Sequence, residues 1–140
     1  EVSESLEAAE MLEAEGIKAR VINIHTIKPL DTELVVASAK KTGAVVTAEE
    51  HSVIGGLGSA VCDTLAENCP VPVIKVGVQD SFGRSGKVPE LLEIYGLTAK
   101  NIYEKAKLAQ TTQNCRQQCS GCGSNKLNGG KCDALSENMV

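Results

Sequence analysis

Apolar residues recur one helical turn apart at Leu6, Ala9 and Leu12, with glutamates on the other faces and Gly16 just beyond, so the chain opens with a helix over 3–15. The period then changes. Residues 19–24 read as a buried strand, and Lys28-Pro-Leu-Asp31 as a turn whose Asp31 caps a helix over 32–42 that Gly43 ends. A second apolar run, 44–48, feeds two carboxylates, an imidazole and a group of glycines before a helical repeat over 56–67 carried by Leu57, Val61 and Leu65. Residues 71–78 form a third strand with a proline near its entrance, followed by a Gly/Ser-rich loop over 80–86. A short helix opened by Pro89 and ended by Gly96, and a last helix over 98–110, complete the pattern. Strands nearly continuous in Val and Ile, alternating with helices, predict an α/β fold: a three-layer αβα sandwich around a mostly parallel sheet covered on both faces.

Periodicity stops after Lys107. The expected organisation is therefore one α/β domain over 1–110 and a tail over 111–140 rich in Cys, Gly and Asn, with too few large apolar residues to order itself. At 140 residues there is material for one domain with a hydrophobic core and not for a multidomain enzyme. A formal charge of −4 with both signs interspersed, and only Phe82, Tyr95 and Tyr103 as aromatics, leave nucleic acid without a basic footprint or stacking surface. No apolar run approaches the ~20 residues of a membrane span, and the acidic opening lacks the form of a secretory signal. The expectation is a cytoplasmic protein with no membrane and no nucleic-acid partner.

Chemistry concentrates where the second strand meets its helix: Glu49, Glu50, His51, Gly55, Gly56 and Gly58. Such junctions at the carboxyl ends of parallel strands are where sites form in open α/β sheets. Exposed amides at a glycine-rich helix start can hold an anion, although two carboxylates just upstream would repel a phosphate unless turned away. The other reading, which we prefer, is that the glycines allow close packing or approach of another domain. Histidine as a residue type suits acid–base work at neutral pH, but His51 has no nucleophile partner in the sequence, so hydrogen bonding at a domain boundary is its expected role. His25 is read as structural. Arg84-Ser-Gly-Lys87 is not a P-loop, because Ser81 stands where the first glycine belongs and Val88 where Ser or Thr belongs. Arg84 and Lys87 are kept as candidates for a phosphorylated ligand or an acidic partner surface. Gly56-Leu-Gly-Ser-Ala60 places its serine one position late for a nucleophile elbow. In the tail, Cys115, Cys119, Cys122 and Cys132 are enough thiols for tetrahedral zinc. The first three also match the spacing of a four-iron cluster site, but they trail a finished domain, and an extension with free thiols is the preferred reading.

Four blocks carry a family resemblance: residues 19–31, the junction at 49–61, residues 71–78, and Phe82-Gly-Arg-Ser-Gly-Lys-Val-Pro-Glu-Leu-Leu92 running on to Tyr95-Gly-Leu-Thr98. Together they resemble the C-terminal domain of transketolases from about Val2 to Lys107. The last block is closer to transketolase than to 2-oxoacid dehydrogenase beta subunits. The resemblance implies a domain of an enzyme that transfers two-carbon ketol units between phosphorylated sugars, using thiamine diphosphate and Mg bound by domains upstream of this one. By the same implication no catalytic, cofactor-binding or metal-binding residue lies here. The domain buttresses the cofactor domain and extends a dimer contact, as a fragment or as one subunit of a split enzyme. The partners implied are the upstream domains or an N-terminal subunit, in a homodimer or heterotetramer, and the isolated chain is expected to be inactive. The family pattern also places a further strand ahead of the first helix, so the sheet's first strand is expected to be missing from this chain. Two alternatives stand beside this reading: a small-anion or nucleotide regulatory module using the amides of Gly55, Gly56 and Gly58, and the same domain of a deoxyxylulose-phosphate synthase or 2-oxoacid dehydrogenase.

Overall fold

A computed structural model describes residues 1–120, with side chains through residue 115. In chain order it has α1 (Val2–Ala14), α2 (Thr32–Thr42), β1 (Val45–Ser52), α3 (Leu57–Asn68), β2 (Val73–Val78), α4 (Val88–Tyr95) and α5 (Ala99–Ser120). β1 and β2 pair in parallel from Val45 opposite Val73 to Ala48 opposite Val76, and the register shifts before Ser52 meets Val78. Alternate side chains of the two strands enter opposite layers, as a pleat requires. Val46, Ala48, Val76 and Val78 join Ala8 of α1, Leu97 in the turn before α5, and Ala99 and Ile102 at the start of α5. Val45 and Val73 join Val35 and Ala39 of α2 and Val61 and Leu65 of α3. Helices therefore cover both faces of the sheet, and the three-layer architecture expected from the alternating pattern is present.

The helix ends follow the chemistry read from the sequence. Asp31 accepts the Leu34 N–H at 3.0 Å and caps α2, and Gly43 ends that helix in the left-handed conformation at φ 76°. Gly96 ends α4 in the same way at φ 67°. The start of α5 is capped from far away in sequence, where Glu4 Oε2 accepts the Ala99 N–H at 2.9 Å and ties α1 to α5.

Three boundaries differ from the sequence expectation. β1 continues past Ala48 through Glu50 to Ser52, which puts the acidic pair and His51 on the strand and not in a loop. α5 runs to Ser120, ten residues beyond the expected limit at 110, and within that extension the Gln113 side chain lies beside Gly43, where an added Cβ would be 2.0 Å from its Nε2. Residues 19–24 form no regular element and join no ladder, so among the described residues the sheet has two strands and not the expected three. The physical reason lies beside them: a cavity of about 640 Å³ separates this segment from β1, and a strand without a neighbour at ladder distance, ~4.8 Å, cannot pair. Of the tail thiols, Cys115 and Cys119 fall on α5, while Cys122 and Cys132 lie outside the described residues. Among the described residues no helix is long and apolar enough to cross a membrane, and no three metal-ligating side chains gather.

At the solvent edge of the α1–α5 contact, Glu15 accepts from the Tyr103 hydroxyl and, at 2.7 Å, from Lys107 Nζ, which also reaches Tyr103 Oη at 3.1 Å. The hydrogen bond from Lys107 holds the Glu15 carboxyl below its usual range, and the bond to Glu15 raises Lys107. For Glu15 the stabilising effect is present above the unfolded-state value, ~4.3, and is lost as pH falls through the lower folded value. For Lys107 it is present below ~10.4 and is lost as pH rises through the raised folded value. Both groups are half-exposed, so the effect is small and screened. Glu15→Gln should lower the melting temperature slightly at neutral pH. That difference should disappear in acid and at about 1 M salt, where the Debye length is ~3 Å. A difference that persists in both conditions would show that Glu15 acts through packing.

Candidate functional site

The carboxyl end of β1 and the start of α3 are joined through one side chain. Glu49, only 8% exposed, reaches across eight residues so that Oε2 accepts the Leu57 N–H at 2.7 Å and Oε1 accepts the Gly58 N–H at 2.8 Å. Those are among the first amides of α3, which have no partner within the helix. The carboxylate thus satisfies two of them, and its charge faces the positive end of the helix dipole. Gly56 makes this approach possible: a Cβ built there would lie 2.0 Å from Glu49 Oε2 and 3.0 Å from the Ser52 carbonyl oxygen. Gly55, at φ 78°, turns the chain in the left-handed region that side chains rarely adopt. Gly58 lets the first turn of α3 lie against the sheet, where an added Cβ would meet Thr47 Oγ1 and Lys75 Cδ, each at 2.8 Å.

A second set of bonds locks the turn. Gly55 N–H donates to Ser59 Oγ at 2.9 Å, and Lys75 Nζ from β2 donates to the Val53 carbonyl at 3.2 Å and to Ser59 Oγ at 3.3 Å. Lys75 and Ser59 were not singled out from the sequence. The signal was there in Lys75, a lone cation inside the apolar run Val73-Ile-Lys-Val-Gly-Val78, where a part-buried amine demands acceptors.

The candidate residues therefore separate. Glu49, Gly55, Gly56 and Gly58 are brought into one packed junction. Glu50 and His51 leave the same strand end toward solvent; Glu50 lies 3.4 Å from the amino group of Glu1, and His51 Nδ1 bonds its neighbour's Ser52 carbonyl at 3.1 Å. Arg84 and Lys87 are elsewhere. The Arg84 N–H donates to the Tyr95 hydroxyl at 2.8 Å, and this loop lines a separate depression with Phe82 and Ile94, while Lys87 is the N-cap of α4. Phe82 is 98% exposed. His25 is also exposed, and its Nδ1 bonds Thr26 Oγ1 at 2.7 Å.

Chemically, the junction is occupied. The position an external anion would take at the start of α3 holds the Glu49 carboxylate, and the Gly55 amide is taken by Ser59. What the arrangement offers outward is an acidic and imidazole-bearing rim, Glu50 and His51, beside an apolar cavity that also reaches residues 19–24 and the first turn of α1. The hydrogen bonds of the junction itself are directed inward.

Residues 1–102 match the family model described as the transketolase C-terminal domain. A 6-deoxy-6-sulfo-D-fructose transketolase subunit from a Clostridium species is 56% identical over 115 residues, which cover 82% of this chain and 36% of that protein. A 1-deoxy-D-xylulose-5-phosphate synthase from Heliobacterium modesticaldum is 46% identical over 102 residues, covering 72% of this chain and 16% of that protein. Among solved structures, a split-gene transketolase described as an inactive beta4 tetramer superimposes with a TM-score of 0.70 at 56% identity, over 80% of this chain and 35% of that one. The chain thus spans about a third or less of each of these proteins.

Proposed function

The chain belongs to the transketolase C-terminal domain family, and from that membership we propose that it is the C-terminal section of a thiamine-diphosphate-dependent transketolase, acting as a supporting domain for a companion section that holds the cofactor. The observation that carries this reading is the 56% identity to a transketolase subunit over 82% of this chain. In it, ketol transfer between sugar phosphates happens at a site formed by the rest of the enzyme, in the cytoplasm, within a homodimer or a heterotetramer.

Among the described residues, those of the glycine-rich junction do not fit the cofactor. A diphosphate with Mg needs unpaired donors and carboxylate ligands. Here the amides at the glycine-rich helix start are held by Glu49, and Lys75 is turned onto a backbone carbonyl. No step of the reaction is assigned to this chain's side chains. Its contribution is shape: a braced strand end carrying Glu50 and His51, and a second exposed face at Phe82, Arg84 and Lys87, each available to a neighbouring section.

Assayed alone with thiamine diphosphate and Mg, the chain should transfer no ketol unit from a ketose phosphate or from 6-deoxy-6-sulfo-D-fructose. Mixed with a folded companion section it should form a complex with measurable turnover. Turnover by the isolated chain would overturn the supporting role. The second reading, the same domain in a deoxyxylulose-phosphate synthase, is favoured by the 46% identity to such an enzyme. It predicts that the complex forms 1-deoxy-D-xylulose 5-phosphate, and the same mixture assayed for that product separates the two.

A further inference from the structure

Residues 79–90 are exposed without interruption, yet the loop within them is braced. The Tyr95 hydroxyl, at the end of α4, accepts the Arg84 N–H at 2.8 Å and donates to the Phe82 carbonyl at 3.4 Å, while the same residue packs against the core of Ala8, Val76 and Ile102. One side chain thus holds the loop tip from beneath. What the tip presents is apolar: Phe82 is 98% exposed and Val88 69%, and Phe82 shares one depression with Ile94 of α4. α4 carries Val88, Leu91, Leu92 and Ile94, but none of its residues is fully buried. Uncovered apolar side chains grouped in this way mark an interaction surface, as scattered single ones do not. Charge indicates what covers it. Lys87, the N-cap of α4, and Glu90 stand at helical spacing on the same stripe as Ile94, with Glu93 on the flank. Glu90 Oε2 lies 3.7 Å from where a Cβ would stand at Gly86, so this carboxylate borders the loop that carries Arg84. Among the described residues the side chains of Arg84, Lys87, Glu90 and Glu93 make no hydrogen bond and no ion pair. Both signs are therefore unanswered around one apolar centre. A purely acidic partner would be repelled by Glu90 and Glu93, and a purely basic one by Arg84 and Lys87. The same face of a second copy, turned about a two-fold axis, answers both, since in such a contact residue i meets j while j meets i.

We propose that the 81–87 loop and α4 form a self-association surface, through which two copies of this section meet about a two-fold axis. In that contact the Phe82 ring of each copy packs on Val88 and Ile94 of the other, and Arg84 and Lys87 face the other copy's Glu90 and Glu93. Aromatic and arginine side chains carry much of the binding energy in such contacts where their neighbours exclude water. Tyr95 is a positioning residue. It shapes the loop before the copies meet, which removes part of the ordering cost of association. With few apolar residues available, the contact falls in the class that buries less than about 1,200 Å² in total, and in the isolated chain it is weak and concentration-dependent. In an assembled enzyme it would add to the contacts of the companion section. This contact deepens the supporting role proposed above by giving it a surface and a partner, and because mass and not turnover reports it, either can fail alone.

The test is analytical ultracentrifugation of the 140-residue chain in reducing buffer, from low to high micromolar concentration. The average mass should rise toward that of a dimer. Phe82→Ala should weaken the association by at least about tenfold, and so should each charge-reversed pair, Arg84→Glu with Lys87→Glu and Glu90→Lys with Glu93→Lys. Mixed in equal amounts, the two charge-reversed proteins should associate with each other as tightly as the wild type does, and Phe82→Ala in both should weaken that mixture again. Tyr95→Phe keeps the packed ring and every surface residue but removes the hydroxyl, and it should weaken association by about threefold. A wild-type chain that stays monomeric throughout overturns the proposal. So does association that Phe82→Ala leaves unchanged, which would place the contact on another face, and so does a mixture that fails to recover. Circular dichroism establishes that each variant is folded.

Discussion

Glu49→Ala is expected to cost about 2–4 kcal/mol of unfolding free energy, measured by urea denaturation, with no contact to any ligand involved. A charge-assisted hydrogen bond contributes ~1.5–3 kcal/mol, and Glu49 makes two of them from a position 8% exposed. Alanine removes both acceptors and leaves the Gly58 amide buried without a partner, so the cost exceeds the ~1 kcal/mol typical of losing an exposed N-cap. Glu49→Gln keeps one acceptor oxygen but sets an NH2 group against the other amide. It should recover less than half of the loss, and that separates the charge and acceptor pair from the volume of the side chain. Substitution of Glu50, one residue on and exposed, should stay within ~0.5 kcal/mol. If Glu49→Ala unfolds like the wild type, the carboxylate is not what holds α3 to β1, and the glycine-rich start of that helix is open to an anion after all.

How much of this junction could be read from the sequence depends on the range of the forces involved. Local chemistry was legible: Asp31 as a cap, Gly43 and Gly96 as helix ends, and the 3.6-residue stripes that became α1, α2 and α3 all act within a few residues. The parallel layering was legible too, because Val and Ile runs between helices have few other solutions. Two things were not. Residues 19–24 have a strand's composition, but a strand is defined by its neighbour, and the composition of one segment does not reveal whether a partner stands at ladder distance. The other is the direction of the Glu49 side chain. From the sequence, two carboxylates beside a glycine loop would repel an anion unless turned away, and nothing local says which of them turns. Only the fold turns one inward onto the amides of residues 57 and 58 and leaves the other outside. Glu4 is the same case at longer range, an acidic residue in a solvated-looking helix that caps α5 across 95 positions. Side chains that bond across layers leave no periodic trace, and here they are what locks the layers together.

Gly56→Ala offers the sharper experiment, because its effect depends on whether Glu49 is present. The backbone at Gly56, φ −93° and ψ −154°, is open to any residue, so alanine brings no conformational strain. Its methyl group would, however, sit 2.0 Å from Glu49 Oε2 and 2.9 Å from Glu49 Cδ, far inside contact distance. The carboxylate must then leave its two amides, and the substitution should cost about 2–3 kcal/mol through the lost bonds, with crowding against the Ser52 carbonyl in addition. In a chain that already carries Glu49→Ala those bonds are gone and the space is free. There Gly56→Ala should cost less than about 1 kcal/mol. The four proteins of this cycle should therefore show an interaction energy of about 1.5–3 kcal/mol, the upper part of the range for residues in direct contact. Additive costs would mean that the glycine serves only the turn. A strong coupling would identify Glu49 and Gly56 as one device, in which a missing side chain lets a buried carboxylate fasten the helix to the end of the strand and keep foreign anions from its amides.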